Sequence, residues 1–112
     1  MVVDSLSLTL AAVADATRRS ILQQLAEGAF TVGELARPFQ ISQQAVSKHL
    51  ATLERANLVE KRKDGRVHLC SLNAKPIQEI AAWAAEYRRF WEQSFERLDA
   101  LLDGLKDQGA SP

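Results

Sequence analysis

The chain of 112 residues has one cysteine, Cys70, and two histidines, His49 and His68. An internal disulfide is therefore impossible, and a thiolate metal site would need its other ligands from elsewhere. His68 and Cys70 stand two apart on a strand-like run and share a face, but two ligands do not make a four-coordinate site. The sequence holds no Cys-x-Cys and no His-x-x-Glu. It also has no glycine-rich phosphate loop, no nucleophile elbow and no constellation of paired carboxylates. Neither an enzyme nor a metal or other cofactor is expected. No apolar run approaches the ~20 residues of a membrane span. The opening MVVDSLSLTLAAVADATRR has no basic segment ahead of its apolar stretch, unlike a secretory signal. A reducing cytoplasm is the expected compartment.

Excess charge is missing too, since 14 basic residues balance 14 acidic ones. The distribution is uneven. Residues 1–76 carry 10 basic and 7 acidic side chains, net +3; residues 77–112 carry 4 and 7, net −3. A mildly basic body is thus followed by an acidic segment, a distribution compatible with a polyanionic partner for the body.

What is present is organised around Thr31–Leu58, TVGELARPFQISQQAVSKHLATLERANL. Thr31 and Glu34 have the spacing of a capping box for a helix over Val32–Arg37. Pro38 disfavours helix at Arg37 and marks its end. Phe39-Gln40-Ile41 reads as a turn. Ser42 caps a second helix running to about Ala56, with Ile41, Ala45, Val46, Leu50, Leu53 and Leu58 as a buried stripe. Gln43, Gln44, Ser47, Lys48 and Ala51 fall on the opposite face, a helix-turn-helix pattern. Gln can bond both N6 and N7 of adenine, Ser47 a base or phosphate, and Lys48 a phosphate. His49 flanks the buried stripe and is read either as a phosphate donor or as a packing histidine.

Upstream, Leu6, Leu8, Leu10, Ala11, Val13 and Ala14 make a first helix capped by Asp4 or Ser5. Asp15 or Thr17 caps a second, with Ile21, Leu22 and Leu25 inward and Gly28 as its stop. Arg18 and Arg19 lie in its first turn, where the helix dipole does not favour cations. They are either solvated or aimed at a phosphate or an acidic partner. Phe30 and Thr31 could form a short strand. Downstream, Val59–Lys63 and Arg66–Leu72 flank Asp64-Gly65, a strong type I′ hairpin signal. The tip Lys61-Arg62-Lys63-Asp64-Gly65-Arg66 suits the phosphate backbone or the minor groove, which makes this hairpin a basic wing.

Asn73 or Ser71 opens a last helix expected to run unbroken to about Leu105, ~45 Å long. Ile77, Ala84, Trp91, Leu98 and Leu105 recur every seven residues. Ile80, Tyr87 and Leu101 fall near the second heptad position, and Trp83, Phe90, Phe95 and Leu102 widen the stripe. One small domain cannot cover so long an apolar face, so the economical partner is a second copy. The expected fold is mainly α with a small β-hairpin: one domain, 1–112, with a winged-helix core over 6–72, a C-terminal dimerisation helix over 73–105 and a frayed tail over 106–112.

ADATRRSILQQL, TVGELA, ISQQAVSKHLATLERANLV and the DGR hairpin together resemble the ArsR-type (arsenic-repressor-type) winged helix-turn-helix regulators, from about Leu6 to Leu72. The resemblance implies a homodimeric repressor on double-stranded, inverted-repeat operator DNA. Its DNA-contacting residues would be Ser42, Gln43, Gln44, Ser47, Lys48, His49, Lys61, Arg62, Lys63 and Arg66. The family's last helix packs with the first, which implies an interface of Leu6, Leu10, Ile80, Trp83, Ala84, Tyr87, Trp91, Phe95 and Leu98. The family's metal sensors carry a cysteine pair that would fall near Thr31–Leu35, where this chain has none, and no histidine follows His68. The resemblance is therefore to a metal-independent branch. Two other readings are a winged helix that binds a protein partner, and a regulator sensing an unidentified small molecule in a pocket lined by the aromatics from Trp83 to Phe95.

Overall fold

The structure is a computed structural model describing residues 4–109. In chain order the elements are α1 (Ser5–Val13), α2 (Ala16–Leu25), α3 (Val32–Ala36), α4 (Gln43–Arg55), β1 (Val59–Asp64), β2 (Val67–Leu72), α5 (Lys75–Ala85) and α6 (Arg88–Gly109). Short polar side chains start the first four helices by accepting from backbone N–H groups that have no partner inside the helix. Asp4 takes Ser7 N at 2.8 Å, Asp15 takes Arg18 N at 3.0 Å, and the hydroxyls of Thr31 and Ser42 take Glu34 N and Ala45 N at 3.1 Å each. Glu34 returns a contact to Thr31 N at 3.0 Å, which completes the capping box. These N–H donors hold the carboxyls of Asp4, Asp15 and Glu34 below their ordinary range.

Helix α4 also has a defined end. Asn57 adopts the left-handed conformation at φ 61°. Its N–H reaches Glu54 O and that of Leu58 reaches Leu53 O, both at 2.9 Å, the two bonds of a Schellman motif. Leu58 is thereby delivered into the core, where it is fully buried.

The chain divides into two compact units, Met1–Ile80 and Ala81–Pro112. In the first, Ile21, Leu22 and Leu25 of α2, Leu35 and Ala36 of α3, and Val46, Leu50 and Leu53 of α4 close around Leu58, Val59 and Cys70. Ile41, expected in this stripe, is instead 41% exposed. It precedes the Ser42 cap and so lies outside the helical spacing that aims the others inward. In α1 the buried residues are Thr9 and Ala12, whereas Leu6 and Leu10 are half-buried and Leu8 is exposed. The Thr9 hydroxyl is satisfied by Ser5 O at 2.9 Å, so a polar residue can face the core while the leucines turn outward.

The hairpin differs from expectation by one residue. Asp64 pairs with Val67, so the two turn residues are Gly65 and Arg66 rather than Asp64 and Gly65. Among the described turn residues only Gly65 has positive φ, 64°, the type II′ pattern with glycine first. Arg66 therefore sits at the tip itself. Phe30 adds a single antiparallel bridge to Cys70, with N–H···O distances of 3.0 and 2.8 Å.

The expected continuous last helix is broken. α5 ends at Ala85 and α6 begins at Arg88. Around Glu86-Tyr87 the backbone bonds tighten to i→i−3, with Glu86 N to Trp83 O at 3.2 Å and Tyr87 N to Ala84 O at 3.0 Å. Trp83 and Tyr87 meet edge to face at 5.7 Å across this interruption, a favoured aromatic geometry. The expected frayed tail from 106 is also helical as far as Gly109, Gly104 included; residues 110–112 lie outside the described residues.

Candidate nucleic-acid interface

The α3–turn–α4 unit buries one side of α4 and leaves the other unspent. Val46, Leu50 and Leu53 are fully buried, while Gln43, Gln44 and Lys48 are exposed and Ser47 and Ala51 half-buried. Gln44 and Lys48 lie one turn apart, as do Gln43 and Ser47, so the four present adjacent amide, hydroxyl and ammonium groups. Ser42 gives a lone pair to its cap and keeps its hydroxyl at the exposed N-terminal end of the helix. A residue the sequence did not flag is Gly33 in α3. A Cβ built there would stand 3.3 Å from Gln43 Nε2, so the missing side chain makes room for that amide.

His49 does not join the open face. Its Nδ1 lies 3.3 Å from an Arg18 guanidinium nitrogen and 3.8 Å from Asp15 Oδ2, which ties the middle of α4 to the start of α2. Arg18 also donates to the carbonyls of Ala12 at 2.6 Å and Ala11 at 3.3 Å, and Arg19 donates to Val13 O at 2.8 Å. The two arginines thus close the C-terminal end of α1, where the helix dipole welcomes cations. Their position at the start of α2 is explained by the helix before it. No sequence signal distinguished this from solvated arginines, because the α1–α2 turn angle sets the reach. The Asp15 carboxyl is held below its ordinary range chiefly by the Arg18 backbone N–H, aided by the Arg18 guanidinium.

The hairpin divides its basic residues. Lys61 pairs with Cys70 and Lys63 with His68, whereas Arg62 pairs with Leu69 on the opposite face. Lys61 Nζ is engaged by Glu54 Oε1 of α4 at 3.2 Å. That contact makes it a strut between α4 and β1. Arg62, Lys63 and Arg66 are exposed and make no ion pair among the described residues. Cys70 is fully buried, and burial pushes its thiol pKa up; it faces the core while His68 is exposed. No group of three or more metal-ligating side chains gathers among the described residues.

Of the expected interface residues, Leu6, Leu10, Ile80 and Ala84 are half-buried, and Trp83, Tyr87, Trp91, Phe95 and Leu98 are exposed. In the second unit Phe90 and Phe95 are 72% and 62% exposed. No helix of the described residues is long and apolar enough to cross a membrane.

Residues 13–62 match the model of a helix-turn-helix domain family. The chain is 38% identical over 96 residues to an HTH-type transcriptional regulator of Mycobacterium tuberculosis, covering 86% of this chain and 87% of the relative. It is 34% identical over 76 residues to the transcriptional repressor SdpR of Bacillus subtilis, covering 68% and 84%. A crystal structure of an ArsR family transcriptional regulator superposes with a TM-score of 0.72 at 37% identity, over 80% of this chain and 98% of that one.

Proposed function

The chain belongs to the ArsR family of winged helix-turn-helix transcriptional regulators, and we propose that it works as a homodimeric repressor on an inverted-repeat DNA operator, in the cytoplasm and without a resident metal ion. The observation that carries this is the polar face of α4, whose opposite side is sunk in the core while Gln43, Gln44, Ser47 and Lys48 stay accessible. Gln43 and Gln44 read base edges from the N-terminal end of α4. Ser42, Ser47 and Lys48 fix register on the backbone. His49 braces α4 against α2, and Lys61 braces β1 against α4. Arg62, Lys63 and Arg66 supply phosphate grip from the wing. Gln-rich readout without many charges holds DNA weakly, so a second copy is needed; Leu6 and Leu10 of α1 and the aromatics of α5 and α6 form its interface. Two copies of α4 then lie about one DNA turn apart, ~34–36 Å. Repression follows the function named for the similar Bacillus subtilis protein.

Selection of operators from random DNA by the purified protein tests this reading. Recovery of an inverted repeat with half-sites one turn apart is expected. Recovery of no DNA at low salt would overturn it in favour of a protein-binding winged helix. An inverted repeat whose occupancy raises expression would replace repression by activation.

A further inference from the structure

A cavity of about 280 Å³ opens within the first unit between α1, the end of α4 and the start of α5. Its apolar floor is Leu8, Ala56 and Pro76, the last two buried. Two cations, Arg55 and Lys75, line the same cavity, and neither makes an ion pair among the described residues. The single carboxylate on the wall, Glu79, accepts from the Ser5 hydroxyl at 3.1 Å. Arg55 spends one nitrogen on Thr52 Oγ1 at 3.2 Å and keeps further donors. The wall also carries Asn57, whose carboxamide makes no hydrogen bond among the described residues. Like charges, an open amide and an apolar floor in one concavity call for an anion with a carbon body. Arg55 lies about 18 Å along α4 from Gln43, at 1.5 Å per residue, so this site is separate from the base-reading end.

We infer that this cavity binds a small organic acid, its carboxylate or phosphate held by Arg55, Lys75 and Asn57 and its apolar body on Leu8, Ala56 and Pro76, and that occupancy releases the protein from DNA. The release half rests on the repressor reading above; the binding half does not. Two features couple the site to DNA. The cavity spans the last turn of α4 and the entry to α5, which Asn73 joins by donating to Asn57 O and Leu58 O at 2.9 Å each. A bound anion also removes positive charge from the unit that faces a polyanion.

The test follows the side-chain amide resonances of Asn57 and Asn73 in the full chain. Benzoate, succinate and inorganic phosphate are titrated separately, with chloride holding ionic strength constant. Saturable shifts at millimolar concentration or below are expected for at least one probe. Benzoate or succinate acting alone identifies a carboxylate ligand, and phosphate alone a phosphate-bearing one. Arg55→Gln and Lys75→Gln should each weaken the response about tenfold, while Arg66→Ala leaves it intact. Shifts that match added chloride, or that survive both glutamine variants, overturn the site. In parallel, the saturating probe should lower affinity for a selected operator about fivefold or more. Binding without that change overturns release. Failure of the probe-free protein to bind any operator strikes the repressor reading and leaves the amide result standing.

Discussion

The two units of this chain treat their apolar side chains in opposite ways. In Met1–Ile80 the leucines and Ile21 of α2, Leu35 of α3, and Val46, Leu50 and Leu53 of α4 are at or near zero exposure. Within the second unit, from Ala81 to Lys106, no side chain is fully buried, although Trp83, Phe90, Trp91, Phe95 and Leu98 recur at helical spacing. The first unit closes most of its core within its own chain, with the outward face of α1 as an exception. The second has the sequence of a core element without a core of its own among the described residues, the pattern from which the dimer interface is proposed.

Breaking the first unit should have the largest effect. Leu50 is fully buried in the middle of α4, and Leu50→Ala should cost ~2–5 kcal/mol of unfolding free energy, read by urea denaturation. A loss below 1 kcal/mol would mean that the unit is not closed around α4. Next comes the second unit. Trp91→Asp should weaken self-association by about 30-fold or more, the size of an interface hot spot at ~2 kcal/mol. Sedimentation at several concentrations measures it. If the variant unfolds, Phe95→Ser gives a milder probe, and an unchanged dimer in both would take this face out of the interface. Within the first unit, the open side of α4 and the wing should separate by readout. Gln44→Ala should cost ~1–3 kcal/mol on the selected operator and almost nothing on random DNA. Arg66→Ala should weaken both alike and reduce the salt slope by about 0.9. Equal loss for Gln44→Ala on both DNAs would remove it from base reading.

The smallest effect is acid sensitivity, and it should belong to the first unit. Asp4, Asp15 and Glu34 all have lowered pKa values, chiefly through backbone N–H donors. A lowered folded-state pKa adds stability that is complete above the ordinary values of 3.8 and 4.5 and lost as pH falls through the folded values. Asp15→Asn keeps a good cap but cannot titrate. Its stability should match the parent near pH 7 and decline less steeply below about pH 4. An identical acid limb would show that Asp15 gains nothing from its cap.

Local chemistry was readable along the chain. The caps at Thr31 and Ser42 depend on residues three apart and the helix-turn-helix with its wing on spacing, whereas Asp4 against Ser5 and Asp15 against Thr17 were decided only by the structure. Long-range partners were not readable. Arg18, Arg19, His49 and Lys61 are ordinary polar residues until the α1–α2 turn and the β1–α4 packing bring their partners within reach. The hairpin slipped by one because glycine suits either turn. Asp64-Gly65 fits type I′, Gly65-Arg66 fits type II′, and strand pairing with Val67 chose the second. The break at Glu86-Tyr87 has neither proline nor glycine to announce it, and the heptad pattern runs straight across it. The cavity beside Arg55 has no sequence signature, because its walls come from three elements distant in sequence.

Gly33 has a consequence for how such a protein can diverge. A methyl group at 33 would crowd the Gln43 amide at 3.3 Å, so the two positions are not independent letters. Alanine at 33 would require the Gln43 amide to shift by a few tenths of an ångström. Where residue 43 reads a base, such a shift would alter how its amide is presented to that base. Position 33 would then act on base reading through the side chain at 43.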